Sequence, residues 1–288
     1  MSAIILDGKA LSQKLIARLK AEVDQLKALT GKNPRFVNIV IGQDESAASY
    51  GKSQKRAAEA VGIDYQFAHL AQQTTQKELL DQVKFLNDDP QVHGVMLHKP
   101  VPEGIDFQQA VNGIVSFKDI EGMGEANLGR LFLNKTKIIP CTPASAMALL
   151  VSTGIDLAGK EAVIIGRSEI VGKPMIHLLL EKNVTVTVCH SATSRAGLLT
   201  EHVRRAQILI VAMGRAGFIK GDWVREGAVV IDVGINAQDG KITGDVEFEP
   251  ASLRAGFITP VPGGVGPVTA VMLMQNGMTA FKHQLGIA

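Results

Sequence analysis

The chain has 288 residues, and its 30 Lys and Arg against 28 Asp and Glu give a formal net charge of +2. No basic block is present, which argues against nucleic acid or an acidic membrane surface as a partner. Hydrophobic residues make up 46%, enough for sizeable cores, and the two cysteines, Cys141 and Cys189, give neither a disulfide framework nor a metal-ligand spacing.

The start, MSAIILDGKA, lacks a signal-peptide pattern, and no apolar run is long enough to span a bilayer, so a cytoplasmic protein is expected. Leu11, Leu15, Leu19, Val23 and Leu26 then follow a helical period. Residues 36–41 read as a strand ending at Gly42, and 46–61 as a helix closed by Gly62. Residues 65–70 read as a strand, 76–86 as a helix and 92–97 as a strand. Two prolines, Pro140 and Pro143, break the pattern and mark a domain boundary.

Beyond the boundary lies the most informative stretch, EAVIIGRSEIVGKP from Glu161 to Pro174. A short apolar run stops at Gly166, and Gly172 and Pro174 open a helical segment. Strand, glycine turn and helix begin a nucleotide-binding βαβ unit, because the turn lets a phosphate approach backbone N–H groups at the helix start. The second strand, 184–188, ends in Cys189-His190-Ser191 with no acidic residue to hold a ribose 2′-hydroxyl. Arg167 and Ser191 suit a 2′-phosphate instead, so NADP is expected over NAD. Two more apolar runs, 208–212 and 228–233, end in Met213-Gly214 and Gly234. The expected class is α/β: a Rossmann-type, doubly wound parallel sheet beside a smaller α/β domain. A loop dense in turn formers, 259–267, precedes an apolar helix, 268–281, that crosses back to the first domain.

These stretches resemble the methylenetetrahydrofolate dehydrogenase/cyclohydrolase family. The matching segments are Pro140-Cys-Thr-Pro143, Gly166-Arg-Ser-Glu-Ile-Val-Gly-Lys-Pro174, Cys189-His-Ser191, Val230-Ile-Asp-Val-Gly-Ile-Asn236, Gly244-Asp-Val246 and Thr259-Pro-Val-Pro-Gly-Gly-Val-Gly-Pro267. The resemblance implies a folate-side domain at 1–140, completed by 268–288, and an NADP domain at 141–267. It also implies a homodimer and a tetrahydrofolate derivative bound between the domains. On the cofactor side it points to Thr142, Gly166, Arg167, Ser168, Gly172, His190, Ser191, Gly214, Gly234 and Ile235. On the substrate side it points to Tyr50, His98, Lys99, Pro100, Glu121, Pro262, Gly263 and Gly264, with no metal.

The chain departs from the family where the chemistry sits. Four positions after Tyr50 the family has a lysine and this chain has Gln54; three positions before it, a serine is replaced by Ala47. A glutamine is replaced by His98, and the aspartate that holds the pterin by Glu121. On a helix Gln54 lies about 40° from Tyr50, whereas Lys52 and Lys55 lie about 200° and 140° away and cannot substitute. Oxidising the methylene carbon removes a hydride and needs positioning above all. Hydrolysing the methenyl product moves protons, which a glutamine amide cannot do. Tyr50, Gln54, His98 and Glu121 are therefore the expected catalytic group, with dehydrogenase activity kept and cyclohydrolase weak or lost. His98 reads either as a titrating substitute or as a hydrogen-bonding one, and Lys99 as a loop lysine that could reach the site. A different pterin or one-carbon carrier, or a non-catalytic NADP-binding paralogue, stays open at this level.

Overall fold

The computed structural model describes residues 2–42, 45–238 and 240–287; the side chains of 43–49 and 238 lie outside that description, and so does the expectation attached to Ala47. Two compact units form: Met1–Ser12 with Thr142–Thr269, and Gln13–Cys141 with Ala270–Ala288. The first twelve residues, expected with the N-terminal domain, pack instead with the nucleotide unit. Their strand β1 (Ile4–Ile5) runs parallel to a strand near the end of that unit, pairing Ile4 with Phe257.

Helix α1 (Gly8–Thr30) is started by Asp7, whose Oδ1 accepts from the N–H groups of Lys9 and Ala10 at 2.8 and 3.1 Å. It leads into β2 (Arg35–Ile41), α2 (Glu45–Val61), β3 (Asp64–Leu70), α3 (Gln76–Asp88), β4 (Gly94–Leu97), α4 (Phe107–Gly113) and α5 (Glu125–Phe132). The three strands form a parallel sheet in the order β3-β2-β4. Strand alternation gives this sheet two different faces. One carries Val37, Ile39, Ile41, Val95 and Leu97 against Leu79, Val83 and Leu86 of α3, an apolar core. Each such fully buried side chain contributes about 1.5–3 kcal/mol. The opposite face carries Phe36 and Asn38 of β2, Tyr65 and Phe67 of β3, and Met96 of β4, because Phe36 pairs with Tyr65 and Asn38 with both Phe67 and Met96. Gly51 of α2 packs against Phe67 on that face.

The nucleotide unit continues through α6 (Cys141–Ser152), β5 (Glu161–Ile165), α7 (Gly172–Glu181), β6 (Thr185–Cys189), α8 (Ser191–Arg195), α9 (Leu199–Arg205), β7 (Ile208–Val211), β8 (Val229–Asp232), β9 (Asn236–Gln238), β10 (Lys241–Thr243), α10 (Phe248–Ser252) and β11 (Phe257–Ile258). The sheet has six strands in the order β1-β11-β8-β7-β5-β6, two more than the four apolar runs predicted, and all its pairings are parallel. The switch of strand order lies between β5 and β7, where an open α/β sheet binds its ligand beyond the carboxyl ends of the strands.

The last helix, α11 (Val265–Gln284), leaves the nucleotide unit at Thr269 and packs on the N-terminal domain. Asn276 donates to the carbonyls of Ile120 and Ile139 at 2.9 and 2.7 Å. Gly277 meets the Phe36 ring so closely that a Cβ there would overlap it. No helix among the described residues is long and apolar enough to cross a membrane.

Candidate functional site

On the nucleotide side, β5 ends at Gly166, whose φ of +125° disfavours any L side chain and whose Cβ position would meet the Ala212 carbonyl. A Cβ at Gly172 would meet the carbonyl of Gly166, so the turn and the start of α7 are in direct backbone contact. Ser168 holds the turn together: its Oγ accepts from Val171 N–H at 3.2 Å and its carbonyl from Lys173 N–H at 2.9 Å. Arg167 on the turn after β5 and Ser191 at the start of α8, just after β6, are exposed. A strand and a turn whose glycines leave no space for side chains fit the close approach of a dinucleotide phosphate to the backbone, with the first N–H groups of α7 held by Ser168. The exposed guanidinium and the missing carboxylate fit a 2′-phosphate. His190 acts locally, its Nδ1 accepting from Ala192 N–H at 3.3 Å and so capping α8. Thr142 is the second residue of α6, and Ile235 is exposed.

An acidic pair orders the loops beyond β7 and β8. The Asp245 carboxylate accepts from the N–H groups of Met213, Gly214 and Arg215 at 2.6, 3.0 and 2.7 Å, and from Asn236 Nδ2 at 2.9 Å. Consecutive N–H groups of this kind form an anion-binding nest, and here the chain fills the nest itself. Asp232 accepts from Gly234, Asp245 and Val246 N–H at 2.9, 3.1 and 2.9 Å. Burial pushes its carboxyl up to about 6 against the pull of those bonds. Both aspartates stand in the matching motifs, and in the structure each is a hydrogen-bond acceptor that orders the loops. A Cβ on Gly234 or Gly244 would collide with these carboxylates. The loop of Pro262, Gly263 and Gly264 belongs to the same unit; the Gly263 carbonyl accepts from Gly8 N–H at 2.9 Å, and Gly264 is pressed against Gly8.

In the other unit the structure brings Tyr50, Gln54 and His98 together. Gln54 is fully buried while Lys52 and Lys55 are exposed, as the helical phase requires. Gln54 Oε1 accepts from Tyr65 Oη at 2.9 Å and Asn38 Nδ2 at 3.2 Å, and Gln54 Nε2 lies 3.6 Å from the Met96 sulfur. Asn38 Nδ2 also lies 3.2 Å from His98 Nδ1. Asn38 Oδ1 is buried with no partner among the described residues, a cost of about 1–3 kcal/mol. The Tyr50 and His98 rings sit 5.8 Å apart at 53°. Burial first, then Cys141 and Glu121, push the Tyr50 hydroxyl up, while its hydrogen bond with Gln54 pulls it down. Asn38 and Tyr65 were missed from sequence.

Glu121 stands on a rigid loop. Lys118 reaches under it to the carbonyls of Leu86, Asn87 and Asp89 at 3.2, 2.8 and 2.8 Å, closing the end of α3. Asp119 accepts from Gly122 and Gly124 N–H and from Asn127 Nδ2 at 3.0, 2.8 and 3.0 Å. Burial pushes the Glu121 carboxyl up to about 7; Asp119 adds to this and Lys99 opposes it. Lys99 is exposed, with its Nζ 3.9 Å over the Phe107 ring, next to the cis bond to Pro100. Its ammonium is therefore seated on the loop side, felt by Glu121 and apart from the Gln54 network. A groove of about 540 Å³ opens at the carboxyl ends of β2 and β3, lined by Gly42, His69, Leu70, Ala71 and Gln72.

Fold and site together define a nucleotide-dependent oxidoreductase built from two α/β units. Residues 6–121 match the tetrahydrofolate dehydrogenase/cyclohydrolase catalytic domain, and residues 140–285 match the NAD(P)-binding domain of the same family. The bifunctional protein FolD of Bacillus pumilus is 45% identical over 286 residues, covering 99% of this chain and 100% of the relative. The solved bifunctional enzyme from Campylobacter jejuni aligns with a TM-score of 0.94 at 42% identity, covering 98% of this chain and 100% of that one. The Trypanosoma brucei enzyme, solved with NADP and an inhibitor, aligns at 0.94 and 35% identity, covering 99% of each chain. The chain belongs to the tetrahydrofolate dehydrogenase/cyclohydrolase family. It is an enzyme of the methylenetetrahydrofolate dehydrogenase/cyclohydrolase class and carries that family's NAD(P)-binding domain.

Proposed function

We propose that this chain oxidises 5,10-methylenetetrahydrofolate to the methenyl form with NADP and that its methenyl hydrolysis is weak or absent. The carrying observation is Gln54: the inward position four residues after Tyr50 holds a fully buried amide, tied by Tyr65 and Asn38. An amide neither takes nor gives a proton near neutral pH, and hydrolysis needs a group that does. Hydride removal makes no such demand; the bound cofactor supplies the hydride acceptor, and the chain's residues bind, orient and exclude water. Glu121, Tyr50 and His98 would face the pterin.

The test is two separate assays on the purified protein. NADP reduction with methylenetetrahydrofolate should proceed, and hydrolysis of methenyltetrahydrofolate should stay near its spontaneous rate. Hydrolysis well above that rate would refute the single-activity reading.

Arg167 should carry the cofactor preference. Arg167→Ala should weaken NADP binding by about 1.5–3 kcal/mol, the worth of a charge-assisted bond, and leave NAD binding nearly unchanged. Equal loss of both, measured by titration calorimetry, would place the 2′-phosphate elsewhere.

A further inference from the structure

Sheet register brings the side chains of Asn38 on β2, Tyr65 on β3 and Met96 on β4 to one face, and His98 follows directly after β4. Asn38 Nδ2 has only hydrogens to give. It points at Gln54 Oε1 and His98 Nδ1, both at 3.2 Å, so the histidine nitrogen it meets is the acceptor and the ring's proton sits on Nε2. Tyr65 Oη donates to the same Gln54 oxygen at 2.9 Å, and Gln54 Nε2 faces the Met96 sulfur at 3.6 Å, which can only accept, so the two contacts together set the orientation of the amide. In these three bonds each atom keeps one role: the Gln54 oxygen accepts from Tyr65 and Asn38, and the Asn38 amide nitrogen donates to Gln54 and His98.

We propose that Asn38 and Tyr65 are positioning residues that lock the Gln54 amide and, through it, hold His98 as the neutral Nε2–H tautomer. The ring's basic nitrogen is then spent inside the protein, and the other nitrogen already carries its proton. His98 can donate a hydrogen bond but cannot accept a proton from an attacking water without breaking the network. This deepens the dehydrogenase reading and rests on it, because it accounts for His98 not replacing the missing lysine.

The experiment uses the full chain labelled with ¹⁵N-histidine. Long-range proton–nitrogen correlation at pH 7.5 reads each ring's tautomer, and a His98→Gln sample identifies the His98 signals by subtraction. The expected pattern is an Nε2–H ring in the unchanged protein and a mixture of tautomers in Asn38→Ala. Tyr65→Phe should give an intermediate population, since the amide would then be oriented by Asn38 and the Met96 sulfur alone. An Nδ1–H ring or an imidazolium in the unchanged protein would overturn the assignment, and that spectrum needs no variant to fold. An unaltered Nε2–H signal in a folded Asn38→Ala protein would also overturn it. Rapid methenyl hydrolysis alongside the expected spectrum would refute the single-activity reading and leave the positioning roles standing, so the two failures are distinguishable.

Discussion

Glu121→Gln should slow dehydrogenation by about tenfold at pH 8, equivalent to about 1.4 kcal/mol of barrier, and remove the rise in rate through pH 7. The Glu121 carboxyl is raised to about 7 by burial, then by Asp119, with Lys99 opposing. Above that pH it is an anion. Taking a hydride from the methylene carbon leaves a cation, which an anion at the pterin favours and a neutral amide does not. The native enzyme should therefore gain rate as pH rises through 7, and the substituted one should not. Single-turnover rates between pH 6 and 9 decide the matter. An identical rising limb in the substituted protein would assign the titration to another group.

The same shift has a stability consequence with the opposite sense. Between 4.5 and about 7 the folded protein holds a proton that the unfolded chain has lost. Stability therefore falls as pH rises through that window, and the penalty is absent below it. A shift from 4.5 to about 7 spans about 2.5 units, a ceiling of roughly 3 kcal/mol at about 1.36 kcal/mol per unit. Glu121 keeps some exposed surface, which lowers that figure. Glu121→Gln should thus be more stable than the native chain at pH 8, by about 1–3 kcal/mol, and equal to it near pH 4. Slower chemistry in a more stable protein would mark Glu121 as a site whose charge is held at a cost.

The nucleotide unit was legible in sequence because its signals are local. The apolar run before Gly166, the turn glycines and the start of α7 all fall within fourteen residues, Glu161 to Pro174. The outer strands β1 and β11 were not legible, since two residues each carry no period, and their pairing joins Ile4 to Phe257 across most of the chain. The first twelve residues were consequently read with the N-terminal domain, whereas they cluster with the nucleotide unit. The candidate site was legible where a helical angle sufficed: the phase of α2 separated Gln54 from Lys52 and Lys55. It was not legible where sheet register decides. Asn38 looks like one polar residue in an apolar strand, and Tyr65 like an ordinary strand aromatic. Only the pairing of β2 with β3 and β4 shows that both meet Gln54. Asp245 was hidden similarly, because its partners Met213, Gly214 and Arg215 lie 30–32 residues away.

Gln54→Lys should raise methenyl hydrolysis by at least about tenfold, or about 1.4 kcal/mol of barrier. The buried position offers a lysine two oxygen acceptors. Tyr65 Oη can turn a lone pair toward an ammonium, and Asn38 Oδ1, now without a partner among the described residues, reaches it if the amide rotates. Burial lowers the lysine's pKa, so part of the population is neutral at pH 8 and able to move a proton. Rotation of Asn38 has a second effect. Its oxygen would then face His98 Nδ1, which must carry the proton in response, leaving Nε2 as the basic nitrogen. The gain in hydrolysis should therefore appear with a shift of His98 to the Nδ1–H tautomer in the same sample. A folded Gln54→Lys protein that still reduces NADP, yet shows no gain in hydrolysis, would mean that more than a missing lysine separates this pocket from the second activity. Its substrate would then be sought among altered pterins, with Glu121 and His98 as the residues that reshape the site.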